Sequence, residues 1–174
     1  MSVLIREAAA EEVSFIREQR LQAYEDHRNA VPEEHWQALK KAITSEADSQ
    51  PGVELFVAEK NDKIIGSIAL FPALTDAYEG MTAELDYPEI RVLAVAPEAR
   101  GKGAASALIA ACIQRAKEKG YNYIGLHTGE FMHEAIALYQ KHGFERQPEH
   151  DFEPAGDGVT VKAFRLSLEQ DKRG

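Results

Sequence analysis

The chain has 174 residues, with 20 Lys and Arg against 29 Asp and Glu, for a formal net charge of −9. With 44% hydrophobic and 28% charged residues, the composition is globular and excludes wholesale disorder. The acidic balance argues against sequence-independent nucleic-acid binding, which needs cations against phosphate. One cysteine excludes an intrachain disulfide and a Cys-rich metal site.

At roughly 150 residues per domain, the chain reads as one domain over 1–174. No apolar run approaches the roughly 18 residues needed to span a bilayer. Arg6 and Glu7 stand where a signal peptide needs apolar residues. The expectation is a soluble protein of a reducing compartment, cytoplasmic, with neither membrane nor nucleic acid as partner.

The elements follow in chain order. Val3 to Arg6 reads as a short strand. Glu11 and Glu12 suit the first turn of a helix, whose N-terminal N–H groups favour acids. Val13, Ile16, Ala23 and Tyr24 then share one helical face. Pro32-Glu33-Glu34 starts a second helix, with Trp36, Leu39 and Ile43 at helical spacing behind it. Ser49 to Gly52 ends it. Glu54–Glu59 and Lys63–Phe71 are apolar runs around Asn61-Asp62, the pattern of a hairpin. Residues 72–88 form a long connection of weak pattern.

Ile90–Val95 is a short apolar run, hence a buried strand, and Pro97–Gly103 is a turn. From Ala105 the apolar residues Ala105, Leu108, Ile109, Cys112, Ile113 and Ala116 make an amphipathic helix. Lys117 and Lys119 lie in its last turn, and Gly120 suits its stop. Tyr121–His127 reads as a strand, with Thr128-Gly129 opening a loop. Two strands joined by a helix imply a right-handed parallel crossover. Ala135, Leu138, Tyr139 and His142 share the face of another helix ended by Gly143, and Val159–Leu168 alternates as a last strand. The expected class is α/β (α+β), a mixed sheet with helices on both faces.

The densest chemical signal is Arg100-Gly101-Lys102-Gly103-Ala104-Ala105, between a strand and a strong helix. Small residues let a ligand approach the backbone. The first N–H groups of a helix have no internal partner, and its dipole adds about half a positive charge there. Together they suit a phosphate or pyrophosphate. An ordinary tight turn with solvated basic residues would carry the same pattern. A P-loop does not fit, because Gly103 stands where Ser or Thr is needed. A dinucleotide fingerprint fits poorly, since Ser106 takes the third glycine position and the next strand runs into His127-Thr128 instead of a carboxylate.

These residues resemble the GCN5-related N-acetyltransferase (GNAT) family. The family loop has Gln or Arg, two residues, Gly, one residue, then Gly or Ala, matched by Arg100, Gly103 and Ala105. Leu93-Ala94-Val95-Ala96-Pro97-Glu98 looks like the family's fourth strand and its exit, and Ala135 to Phe144 like its closing helix and the strand after it. The likeness is specific over residues 89–144 and compatible elsewhere. Met132 departs from it, standing where many members carry an Asn that contacts the cofactor.

The resemblance implies a GNAT fold, a mixed central sheet whose fourth and fifth strands splay apart around acetyl-coenzyme A. The pyrophosphate would meet the backbone of Lys102 to Ala105, and the pantetheine amides the edge of Leu93, Ala94 and Val95. The implied reaction is acetyl transfer from the thioester to a primary amine of a small molecule or protein, by direct attack in a ternary complex. A lysine-like amine has a pKa near 10.4, so holding it neutral at pH 7 costs about 4–5 kcal/mol, part of which a base or desolvation can supply. A backbone N–H near Leu93 or Ala94 would stabilise the oxyanion.

Tyr139 is the candidate donor to the leaving thiolate, although a tyrosine on an apolar helix face also reads as core. Full proton transfer from a phenol to this thiolate is uphill by roughly 2 kcal/mol. Glu89, at the start of the fourth strand, matches the position of the glutamate that histone-modifying members use as a base through a water. A solvated strand end is the plainer reading, and Glu84 and Glu54 are weaker candidates.

From Ile64 to Ile90 there is no Lys or Arg, but Asp76, Glu79, Glu84, Asp86 and Glu89 are present with Tyr78 and Tyr87 among them. Such a segment would draw in a cationic amine, or it is an acidic solvated loop. His127, His133, His142 and His150 lack the spacing of a zinc site; His133 could instead serve as a base or shape the pocket. Cys112 reads as a core thiol and Trp36 as core or pocket wall. Two other functions stay open: a regulatory module that binds acyl-coenzyme A without turnover, and a nucleotide-dependent oxidoreductase. A homodimer is possible, as family members often pair.

Overall fold

A computed structural model describes residues 3–73, 86–153 and 158–168. Among the described residues, the α-helices and strands are β1 (Leu4–Glu7), α1 (Val13–Tyr24), α2 (Glu33–Ile43), β2 (Glu54–Lys60), β3 (Lys63–Phe71), β4 (Glu89–Val95), α3 (Ala104–Glu118), β5 (Tyr123–Gly129), α4 (His133–Lys141), β6 (Glu145–Arg146) and β7 (Val161–Ser167). A 3₁₀ segment, Glu25–Ala30, joins α1 to α2. The strands form a seven-stranded sheet in the order β1-β2-β3-β4-β5-β7-β6. The β4–β5 pair is parallel and the other pairs are antiparallel.

The expected elements form where the apolar spacing places them, with boundary shifts of one to two residues. The larger correction is at β5, which starts at Tyr123 and runs through Thr128 and Gly129. Those two residues stay extended because β7 pairs with them, Thr128 with Lys162 and Gly129 with Val161. The Asn61-Asp62 turn takes positive φ at both residues, 53° and 63°, the geometry that suits a tight hairpin. Two-residue β6 has no pattern of its own and forms on β7.

The sheet is covered on both faces. One core joins Phe56, Ile68, Ile90, Ile124, Leu126 and Phe164 from the strands to Leu108, Ile109 and Cys112 of α3 and Tyr139 of α4. The second joins Ala23, Tyr24, Trp36 and Ile43 of α1 and α2 to Ala94. Arg20 and Arg17 of α1 hold buried Asp48 at 2.9 and 2.6 Å, fixing α1 against the chain that follows α2. Among the described residues no helix is long and apolar enough to cross a membrane.

Candidate active site

Strand β4 opens the site by changing partners. It pairs with β5 at two positions, Glu89 with Gly125 and Ile90 with Leu126. Beyond Ile90 the two strands diverge, leaving one edge of β4 without a ladder. On the other edge, β3 pairs Ser67 with Ala94 and Ala69 with Arg91. Two residues of β4 therefore lie between rungs where β3 has one. Val92 absorbs the extra residue with φ 53°, a costly conformation for a β-branched side chain.

This bulge shifts the alternation by one residue. Ile90 faces the α3 side; after Val92, Leu93 and Val95 face that core while Ala94 packs on the α1–α2 cluster. Nothing in the run Ile90–Val95 marks the shift, because apolar residues occupy both faces.

The α3 N-terminus faces β4 across the opening. Gly103 is its N-cap, at φ 85° and with no side-chain cap, and Gly101 is at φ 80°. A Cβ on either would meet nothing within 4 Å, so backbone conformation requires glycine here and open space lies beyond. The N–H groups of Ala104, Ala105 and Ser106 precede the first intrahelical bonds of this helix.

The two features meet in a cleft of about 840 Å³. Leu93, Ala94, Val95, Arg100, Gly101, Gly103, Ala104 and Ala105 all line it, so eight of the nine expected cofactor residues meet in one cleft. The ninth, Lys102, is exposed on the loop beside them. Arg100 crosses the cleft mouth: its guanidinium pairs with Asp26 and donates to the Ala23 carbonyl at 3.1 Å. It ties the loop to the end of α1, a partnership that phosphate would have to share or displace.

The cleft is also lined by residues that sequence reasoning did not assign to a site: Asp26, His27, Phe131, Glu134 and Leu138. Phe131 meets the rings of His27 and His35 edge-on at 5.5 and 5.8 Å. Burial pulls the His27 pKa below its ordinary value. No short-range motif could mark this cluster, since its members come from three separate segments. Met132 also lines the cleft and accepts at Sδ from Thr128 Oγ1 at 3.5 Å.

The two candidate catalytic residues lie deeper. Tyr139 is 4% exposed and in the first core, with Phe144 edge-on at 5.8 Å. It does not line the cleft, although Ala135 and Leu138 of the same helix do. Glu89 is 7% exposed, not a solvated strand end, and its Oε2 lies 2.8 Å from His127 Nδ1.

Glu54 is engaged elsewhere, paired with Arg115 and Lys119. Asp76, Tyr78, Glu79 and Glu84 lie outside the described residues. His133 lines the cleft. His142 Nε2 is 2.8 Å from Ser106 Oγ, joining the end of α4 to the first turn of α3. Cys112 is fully buried and burial pushes its thiol pKa far up, and Trp36 is core at 2% exposure.

Comparison with known proteins agrees with this architecture. The acetyltransferase (GNAT) family matches over residues 14–144. An uncharacterized N-acetyltransferase, YjgM, of Escherichia coli is 36% identical over 97 residues, 56% of this chain and 54% of that protein. Human N-acetyltransferase 8B is 31% identical over 104 residues, 60% of this chain and 44% of that one. The chain thus spans about half the length of these curated relatives. Among solved structures, the PaiA N-acetyltransferase from Thermoplasma acidophilum in complex with coenzyme A has a similar fold. It has a TM-score of 0.68 and 17% identity, covering 96% of this chain and 99% of that one.

Proposed function

Because the chain belongs to the acetyltransferase (GNAT) family, we propose that it transfers an acetyl group from acetyl-coenzyme A to a primary amine. One observation carries the reading. The open edge of β4 and the uncapped N-terminus of α3 line one cleft, offering amide partners to a pantetheine arm and N–H donors to a pyrophosphate. The cofactor would lie along Leu93–Val95 with its diphosphate over Gly101–Ala105. A regulatory module would use the same contacts, but it would not need a buried proton acceptor beside the splay.

In this reading the acceptor amine attacks the thioester carbonyl directly. The N–C bond forms as the carbonyl becomes an oxyanion. That oxyanion then collapses and breaks the C–S bond without an acyl-enzyme, the nitrogen's second proton leaving as the thiolate is protonated. A backbone N–H beyond the Val92 bulge stabilises the oxyanion. Glu89 takes the ammonium proton through a water, and the Tyr139 hydroxyl donates to the departing thiolate. The acceptor is a small-molecule or protein amine.

Incubation with acetyl-coenzyme A and a broad amine panel, followed by free thiol, tests the activity. Thiol release with at least one amine is expected. Thermal stabilisation by coenzyme A without thiol release favours the regulatory module. Stabilisation by NAD and not by coenzyme A favours the oxidoreductase.

A further inference from the structure

The loop between β4 and α3 has little of its own to hold its shape. Gly101 and Gly103 take φ 80° and 85°, and a Cβ on either would meet nothing within 4 Å. Lys102 between them is exposed. Glycine leaves the backbone many conformations, so the loop's N–H groups keep their direction only if its ends are anchored. Buried Ala99 anchors one end and α3 the other. Between them, the Arg100 side chain reaches a segment far away in the chain.

That segment is the end of α1. Ala23 lies in its last turn, at the negative end of the helix dipole. This turn contains no basic residue, and two carboxylates, Glu25 and Asp26, follow it. Such a sequence leaves the helix end without a cation and adds like charge to it. Arg100 answers both needs. Its Nη2 donates to the Ala23 carbonyl at 3.1 Å, and its Nη1 donates to the Asp26 carboxylate. A diphosphate entering the cleft would have to break both contacts to take the guanidinium over. Next to Asp26, His27 meets the Phe131 ring edge-on at 5.5 Å. Arg100, Asp26, His27 and Phe131 all line the cleft, so they connect three segments around it.

We propose that Arg100 is a positioning residue of the cofactor site and not a phosphate ligand, with Asp26 and the Ala23 carbonyl as its partners. The inference rests on the reading in which coenzyme A occupies this cleft. The tie to α1 holds the loop in the shape that presents its N–H groups to the diphosphate, and it stays closed when the cofactor binds. The diphosphate is then held by the N–H groups of the loop and of the first turn of α3. Lys141, which also lines the cleft, supplies positive charge in place of Arg100.

The two roles of Arg100 give opposite signs at Asp26. A phosphate-binding Arg100 is one for which Asp26 and the diphosphate compete. Removing Asp26 would then release the guanidinium, take a like charge away from the anion and tighten binding. A tethering Arg100 loses its partner instead, and binding weakens against that electrostatic trend.

Calorimetry with coenzyme A on the full chain reads that sign. Asp26→Ala should raise Kd about three- to tenfold, the scale of a helix-end charge and an exposed ion pair together. Arg100→Met should raise it by a similar factor. The double variant should be no worse than Arg100→Met, because both changes remove one tie. Glu33→Ala removes a carboxylate from the exposed pair with Arg28 nearby and should leave Kd within twofold. In ¹⁵N-arginine spectra, the Arg100 side-chain signal, assigned by its loss in Arg100→Met, should shift in Asp26→Ala. Coenzyme A added to the wild type should leave it in place. Unchanged or tighter binding by Asp26→Ala, equal weakening by Glu33→Ala, or an Arg100 signal that moves with coenzyme A overturns the proposal. If a variant fails to fold, the wild-type spectrum with and without coenzyme A decides. Wild-type protein that binds no coenzyme A overturns the cofactor reading and this inference with it, a failure distinct from binding that Asp26→Ala does not weaken.

Discussion

The two ends of the β4–β5 splay recognise chemistry by different means. The end proposed for the cofactor is built from backbone: an open strand edge, two glycines at positive φ and a helix N-terminus. The end proposed for proton transfer is built from buried side chains, Glu89 against His127 under Phe152. Backbone recognition demands particular residues at fixed local spacing, so it writes a motif. Side-chain recognition assembles groups from distant segments and leaves only isolated titratable residues in the sequence.

The contrast can be broken hardest at the loop. Gly103→Val puts a β-branched side chain at φ 85° and a methyl-bearing Cβ into the space a diphosphate would occupy. Strain of about 1–3 kcal/mol, added to lost contact, should weaken coenzyme A binding at least tenfold, read by calorimetry. Glu89→Gln should leave that affinity within twofold. Equal loss in the two variants would mean that the ends are not separable.

Tyr139→Phe comes next. If the hydroxyl meets the departing thiolate, turnover should fall by about 10²-fold, the lower range for positioned acid catalysis, with coenzyme A affinity unchanged. Tyr139 is packed in the core, so the melting temperature must be measured beside kcat. Unchanged turnover would make it a core residue only.

Gly125→Ala tests the side-chain end without substituting a titratable residue. A Cβ there would lie 2.6 Å from Tyr87 Cε1 and 3.3 Å from the Phe164 carbonyl oxygen. The ring must leave its place beside Glu89, at an overpacking cost of about 1–3 kcal/mol, visible in urea unfolding. Coenzyme A affinity should change less than with Gly103→Val. Unaltered stability would show that the Tyr87 ring moves freely.

The same physics explains what was legible. The hydrophobic periodicity of α1, α2 and α3 and the turn at Asn61-Asp62 locate most of the fold, because each is a local preference. The loop Arg100–Ala105 is legible for the same reason, and all of it but Lys102 lines the cleft. Three features were hidden. The Val92 bulge is silent because β4 is apolar on both faces. The end of β5 depends on pairing with β7, which no window around Thr128-Gly129 contains. His127 looks like one of several scattered histidines until β5 is placed beside β4 and its phase puts His127 on the Glu89 face. Arg100 matches the loop motif, but its tie to Asp26, 74 residues earlier, is set by tertiary structure.

The smallest effect sharpens the boundary between the ends. His142, the C-cap of α4, meets Ser106 in the first turn of α3 at 2.8 Å, so it braces the backbone site by a side-chain contact. Burial, and then the nearby Lys141 charge, hold its pKa below the ordinary histidine value. The folded protein therefore binds a proton here less readily than the unfolded chain does. The stability it contributes is present above the unfolded pKa of about 6.5 and is lost as pH falls through the lower folded value. The site is partly exposed, so the effect should stay under about 1 kcal/mol, equivalent to about 2–4 °C at most for a domain of this size. Melting curves between pH 7.5 and 5 should show a decline that His142→Gln flattens, while the Glu89→Gln curve keeps that decline. Identical slopes in wild type and His142→Gln would remove His142 as the source.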